Sequence, residues 1–403
     1  MNIKKQISRL YFYETVSGLK IVDAVWVFFL LQRGFSIAQA GIAEGVFHLV
    51  SMCFEIPSGM VSDTIGRKNT LMLAGLVSAC SSVLMALPGS FLLILAGMGL
   101  NAVSYNLVSG TREALTYDSL LEAGEEENYL RVSSRQEFLY ETLYALSSLL
   151  SIVTVRLGYR GAYLLSAFQG ALCICVASGL KEAAPFGRKD RQSFSVRETA
   201  EHYRRTAGSL GKNPRVAGRM AFSGFLSAVV YVDYMFLQEH LTLSGLKAEF
   251  LGIPLLLVSL LGTTGTLLAP RTQGVSMRFL YLTGGILTGV SVVISGGSTL
   301  PVIIAGAGAA QCLSGAVVLR TEAENQKAFS SESRATFVSA GSMVYSVFMT
   351  LLSPLAGALA GRSSVPVAFC MIGAVTAAVS VLTYGTAEKR RGRKTKRYRK
   401  KSK

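Results

Sequence analysis

Long apolar runs limit the fold of this chain more than any other feature. A helix that spans a bilayer needs about 20 mainly apolar residues, and runs of that length follow one another along almost all 403 residues, with only short polar breaks. A chain that is 50% hydrophobic, with mean hydropathy +0.42, has enough apolar surface for a large soluble core, so the spacing of the runs decides. It predicts an all-α, polytopic integral membrane protein. About twelve spans are expected, near residues 10–32, 37–61, 70–88, 90–111, 134–155, 161–180, 216–238, 249–269, 279–296, 299–319, 335–360 and 364–385. Forty glycines, about a tenth of the chain against roughly 7% in ordinary proteins, suit helices that pack through small residues.

The net charge of +16 is not a nucleic-acid signal, because of where it lies. With the N-terminus placed inside, the cytoplasmic segments hold all but about six of the 40 Lys and Arg residues; the others are Lys20, Arg33, Arg156, Arg160, Lys247 and Arg362. This positive-inside bias puts both termini in the cytoplasm of a cell whose plasma (inner) membrane holds the protein. Cys53, Cys80, Cys173, Cys175, Cys312 and Cys370 all fall in apolar runs without metal-site spacing, and read as small buried thiols. Nine mostly polar residues precede a first run too long for a signal h-region, so no removed signal peptide is expected.

One polar stretch stands out between the second and third runs, Glu55-Ile56-Pro57-Ser58-Gly59-Met60-Val61-Ser62-Asp63-Thr64-Ile65-Gly66-Arg67-Lys68. Gly59 and Asp63 share a helix face, and the glycine allows close approach of a neighbouring helix. Gly66 supplies the positive φ of a helix end or tight turn. Arg67 and Lys68 then lie at the membrane surface, where cations suit a helix C-terminus and hold topology. The alternative is an ordinary loop whose basic residues only orient the protein.

The spacing Gly59, Asp63, Gly66, Arg67, Lys68 resembles the G-x-x-x-D-x-x-G-R-K signature between the second and third helices of major facilitator superfamily transporters. The resemblance implies two pseudo-symmetric six-helix halves. It also implies an acid at the end of the fourth span that pairs with Arg67; Asp118 fits that role best and Glu113 second. Asp63 would face the N-terminal end of another helix. Such a cluster forms in one conformation and breaks in another, so it biases an inward/outward equilibrium.

Ionisable residues inside spans are the candidates for chemistry, since each costs about 2.5–3.5 kcal/mol at mid-membrane on insertion scales and so faces a cavity or a partner. The first span carries Glu14, Lys20 and Asp23, and Lys20 and Asp23 share a face. Asp23 is the first candidate for a proton or substrate site, against an internally neutralised pair that steadies packing. Glu141, with Tyr140 and Tyr144 nearby, is the second; Lys20 becomes its partner if the first and fifth helices touch as they do in the family. Glu44 and His48 share a face, but Glu44 lies near the outer end, where water reaches it. Asp233 is either a second-half ligand for a cationic substrate or an outer-end residue in water, the latter slightly favoured. Pro57 bends the second span.

After Leu180 the composition shifts to a charged stretch, giving an N-terminal half (1–180), a cytoplasmic linker (181–215), a C-terminal half (216–385) and a polybasic tail (386–403). Weak echoes about 200 residues apart support the division: Arg112-Glu113-Ala114 with Arg320-Thr321-Glu322-Ala323, Ser134-Arg135 with Ser333-Arg334, and Gly59 to Asp63 with Gly265 to Ala269, where the acid is lost. The linker reads as an amphipathic helix on anionic headgroups, and the tail as a disordered lipid-attracted segment.

No phosphate-cradling G-x-x-x-x-G-K-[ST] loop is present, and His48, His202 and His240 have no zinc or triad spacing. The expectation is a monomeric secondary transporter of a small molecule, not an enzyme, without cofactor or metal and driven by a proton gradient. Efflux of an amphipathic compound leads. The fourth span lacks the arginine and the fifth the G-P motif of multidrug antiporters, so polar-metabolite uptake, lipid-linked compound flipping and a non-transporting sensor stay open.

Overall fold

The structure is a computed structural model that describes residues 2–87, 89–183, 213–326 and 331–401, and single residues 201, 204, 208 and 211; for 331–338 and 385–401 it gives the helical backbone alone. The expected linker helix lies outside the described residues. All of the regular structure described is helical: α1 (Ile3–Gly18), α2 (Trp26–Gln32), α3 (Ile37–Ile65), α4 (Arg67–Ala86), α5 (Phe91–Val108), α6 (Thr111–Glu122), α7 (Tyr129–Ser147), α8 (Ser151–Ser178), α9 (Pro214–Leu243), α10 (Gly252–Leu268), α11 (Met277–Ser295), α12 (Leu300–Gln326), α13 (Ser331–Arg362) and α14 (Val365–Lys401), with short 3-10 turns between some of them.

Among the described residues, ten segments are long and apolar enough to cross a membrane. One of them, Glu126–Ser178, holds two spans, because Gly158 leaves helical geometry at φ +70°. The first span is interrupted, which brings the spans among the described residues to twelve.

That interruption corrects the expected continuous span over 10–32. Residues 19–25 are non-helical. Gly18 is a poor helix former, and irregular backbone at membrane depth persists only where the protein or water satisfies it. Here Gln169 donates to the carbonyls of Val16 at 2.6 Å and Leu19 at 2.5 Å. The Lys20 N–H donates to Ser147 Oγ at 2.9 Å. The fourth span is also broken, at Ser109 and Gly110, rather than running on into residues 111–122. The tail, expected to be disordered, continues α14 as helix to Lys401, as Lys and Arg are good helix formers and extension of an existing helix needs no nucleus.

Contacts divide the chain into two compact units, Met1–Ser209 with Lys247–Leu256 and Met349–Pro354, and Leu210–Leu246 with Leu257–Phe348 and Leu355–Lys403. In the first, α4 packs on α5 and α8, α3 on α5, and α1 on α7 and α8. In the second, α11 packs on α12 and α14, and α9 on α12.

Backbone-close packing repeats in both. A Cβ at Gly75 of α4 would stand 2.9 Å from the Gly170 carbonyl oxygen of α8, and one at Gly289 of α11 would stand 2.5 Å from the Gly373 oxygen of α14. Small residues that let helices touch at the backbone replace the hydrophobic drive that lipid does not supply. Gly59 does not work this way: a Cβ there would meet nothing within 4 Å, so the close approach expected of it is absent.

Candidate functional site

The signature stretch forms the end of α3, a one-residue turn and the start of α4. Gly66 is the turn, at φ +93°. Arg67 donates from Nε to Asp118 Oδ2 at 2.8 Å and from Nη1 to Asp63 Oδ1 at 3.2 Å. Asp63 is 72% exposed and pairs with Arg67 four residues on, where a helix N-terminus was expected to face it. Glu113, the second choice for Arg67, pairs instead with Arg112 at 3.6 Å.

Sequence reasoning missed the residue that completes this turn. Glu182 accepts the backbone N–H of Arg67 through Oε1 at 2.8 Å and that of Lys68 through Oε2 at 2.9 Å. It thereby satisfies two of the orphan donors of α4 and places a negative charge at the helix N-terminus. Gly66 is needed here for room as well as for its φ, because a Cβ would lie 2.9 Å from Glu182 Oε2. Gln6 holds the segment bearing Glu182, exchanging hydrogen bonds with Lys181 O at 2.8 Å and Lys181 N at 3.0 Å.

The break in the first span holds Lys20 and Asp23. Asp23 is exposed and Lys20 half-buried, and Tyr140, Asp23, Tyr105 and Cys173 act electrostatically on its ammonium. Glu141 stands exposed on α7. Although α1 does pack on α7, none of the ion pairs among the described residues joins Lys20 to Glu141.

Two other acids lie away from water. Glu44, expected to be wet, is 3% exposed and pairs with His48 at 3.3 Å, because α3 turns that face inward. Asp233, also expected at a wet outer end, is 1% exposed in the middle of α9 and accepts a hydrogen bond from Ser295. Asp233 belongs to the second compact unit and the others named above to the first.

A further cluster centres on Arg112, at the start of α6. Its Nη1 lies 2.5 Å from Glu14 Oε1, its Nη2 3.5 Å from Glu137 Oε2, and its guanidinium 5.9 Å from the Tyr140 ring. No local pattern in the sequence joins residues 14, 112 and 137; the nearest signal was the presence of Glu14 in an apolar run. Among the described residues no group of His, Cys, Asp and Glu is arranged to hold a metal ion.

A twelve-span helical bundle with this charged turn defines a class of membrane transporter. The family model of the Major Facilitator Superfamily matches residues 17–322, and the chain belongs to that family. It is a multi-pass membrane protein of a family of secondary transporters rather than enzymes.

The chain is 32% identical over 133 residues to the inner membrane transport protein YajR of Escherichia coli, an alignment covering 32% of this chain and 28% of YajR. It is 25% identical over 109 residues to the uncharacterized MFS-type transporter YxaM of Bacillus subtilis, covering 27% of each. The matched part thus spans under a third of these curated relatives. Two solved folds are similar over nearly the whole chain. The nucleoside transporter NupG has TM-score 0.75 at 15% identity, covering 96% of this chain and 98% of NupG. A bacterial homolog of the human lysosomal transporter Spinster has TM-score 0.75 at 12% identity, covering 96% and 97%.

Proposed function

We propose that this chain exports an amphipathic small molecule in exchange for protons, by alternating access across the plasma membrane. Its termini lie in the cytoplasm, its linker and tail rest on anionic lipid, and it acts as a monomer. Residues 1–180 and 216–385 are the two moving halves.

One observation carries the reading: Asp23 is exposed at a break in the middle of an apolar span, beside the Lys20 backbone. A carboxylate at membrane depth beside an interrupted helix can take a proton from one side and give it to the other. A nearby ammonium lowers the cost of its charged form. Broken helices are where transporters of several folds place their binding sites. Glu141, Glu44 and Asp233 are the next candidates for coupling or substrate contact. The turn of Gly59, Asp63, Gly66, Arg67 and Lys68 with Asp118 sets the balance between inward and outward states, with Glu113 acting only through Arg112.

The test is transport by purified protein in liposomes under an imposed proton gradient, with lipophilic cations, sugars and amino acids added in turn. Asp23→Asn should abolish proton-dependent flux while leaving the protein inserted. Normal proton-driven flux in that variant would reject Asp23 as the coupling residue.

A second reading, uptake of a polar metabolite, is favoured by the opposite charges of Lys20 and Asp23 at one break, which suit a zwitterionic or polar solute. NupG is a nucleoside transporter by name. Flux driven by the solute gradient alone, without proton movement, would select this reading.

A further inference from the structure

Glu14 and its neighbours hold a charge balance that the proposed site around Asp23 does not use. The Glu14 side chain is fully buried, and Arg112 faces it at 2.5 Å. Arg112 also faces Glu137 at 3.5 Å and Glu113 at 3.6 Å, both 58% exposed. One guanidinium therefore serves three carboxylates on α1, α6 and α7. Two of the three are in water and one is not.

The second oxygen of Glu14, Oε2, is buried and has no hydrogen-bond partner among the described residues. An ionised carboxylate accepts at both oxygens, and an unsatisfied charged atom in a dry place is costly. Protonation removes the charge and with it most of that cost: one oxygen becomes a hydroxyl, and the other accepts from Arg112 more weakly than a carboxylate oxygen does. The other ionisable groups around Glu14 are Tyr13 and Lys20 on its own segment, Glu137 on α7 and Cys173 on α8. Lys20 adds one positive charge to the cluster and Glu137 one negative, and neither supplies a hydrogen bond to Oε2.

We propose that Glu14 is a proton-binding site, with Glu137 and Glu113 as its wetted outer carboxylates and Arg112 as the cation the three share. A proton from water reaches the cluster at the exposed carboxylates and moves to Glu14. Neutralising Glu14 weakens its hold on Arg112, which stays paired with Glu137 and Glu113; loss of the proton restores the tie of α6 to α1. The load on Glu14 thus sets whether α6 is tied to both α1 and α7 or to α7 alone. This deepens the proton-coupled reading and rests on it for its role in transport, though proton binding itself is measurable without substrate.

The experiment is infrared difference spectroscopy of the purified full chain in lipid across a pH titration, following the carboxylic-acid carbonyl band. Wild-type protein should show a titrating component that is lost in Glu14→Gln and kept in Asp23→Asn. Glu137→Gln, at an exposed position that tolerates the change, removes a neighbouring negative charge. It should weaken proton binding about threefold, a shift of about half a pH unit. If the component survives Glu14→Gln, or if Glu137→Gln leaves the titration unmoved, the site is overturned; should Glu14→Gln not fold, Glu137→Gln decides alone. Proton-independent flux with the Glu14 band intact would sink the coupling reading and leave the site standing. Proton-coupled flux with no such band would do the reverse.

Discussion

Glu182 caps the helix that begins at Arg67: its carboxylate takes the Arg67 backbone N–H at 2.8 Å while the Arg67 side chain reaches Asp118 at the same distance. The signature turn is therefore held from two sides, by the start of the linker through its backbone and by α6 through its guanidinium.

Removing the backbone side should weaken the fold locally. Glu182→Ala leaves two N–H groups of α4 unpaired, and the loss of a helix cap costs about 1 kcal/mol. Gly66→Ala should do more harm, since it adds a strained φ and crowds Glu182. Thermal unfolding in detergent would show both, in that order; equal or reversed effects would mean that Glu182 does not hold the turn.

Removing the side-chain side should act on motion rather than on ligand. Arg67→Ala and Asp118→Asn are each expected to slow exchange severalfold with ligand affinity nearly unchanged, because neither side chain lies at the break in the first span. Unchanged turnover with lost binding would contradict a conformational role. If the two residues act as a pair, the double variant is no slower than the slower single one.

Buried Asp233 depends on Ser295. Ser295→Ala removes the donor and should destabilise the second compact unit by about 1–3 kcal/mol. Asp233→Asn keeps an acceptor for that hydroxyl and should be milder. A larger loss from the asparagine variant would show that the negative charge itself is needed there.

Backbone contact between α4 and α8 leaves no room at Gly75. Gly75→Val should lower the yield of folded protein, with a cost of about 1–3 kcal/mol or more from overpacking. Gly59→Ala, by contrast, should fold as well as wild type, since nothing stands within 4 Å of the added atom. Comparing monodisperse yields of the two variants settles the contrast.

The fold was legible because a bilayer imposes a length on each apolar run, and the signature turn because Gly66, Arg67 and Lys68 sit together in sequence. The break in the first span was not, because it depends on Ser147 and Gln169 from helices more than a hundred residues away. Glu182 looked like one more charge at the start of a basic linker; only the fold brings it to α4. Glu44 and Asp233 read as wet because their distance from a span end was all the sequence offered, whereas α3 and α9 turn them inward. Arg112 drew notice as part of a weak internal repeat, not as the centre of three carboxylates.

The central claim is that proton movement and solute movement are coupled through the interrupted first span. The direct measurement is the internal pH of liposomes containing the purified protein, followed as each compound of the panel is added, for wild type and for Asp23→Asn. The account predicts that at least one amphipathic compound drives proton movement in the wild type and none does in the variant. Solute flux without any pH change in the wild type, or equal pH changes in both proteins, would contradict it.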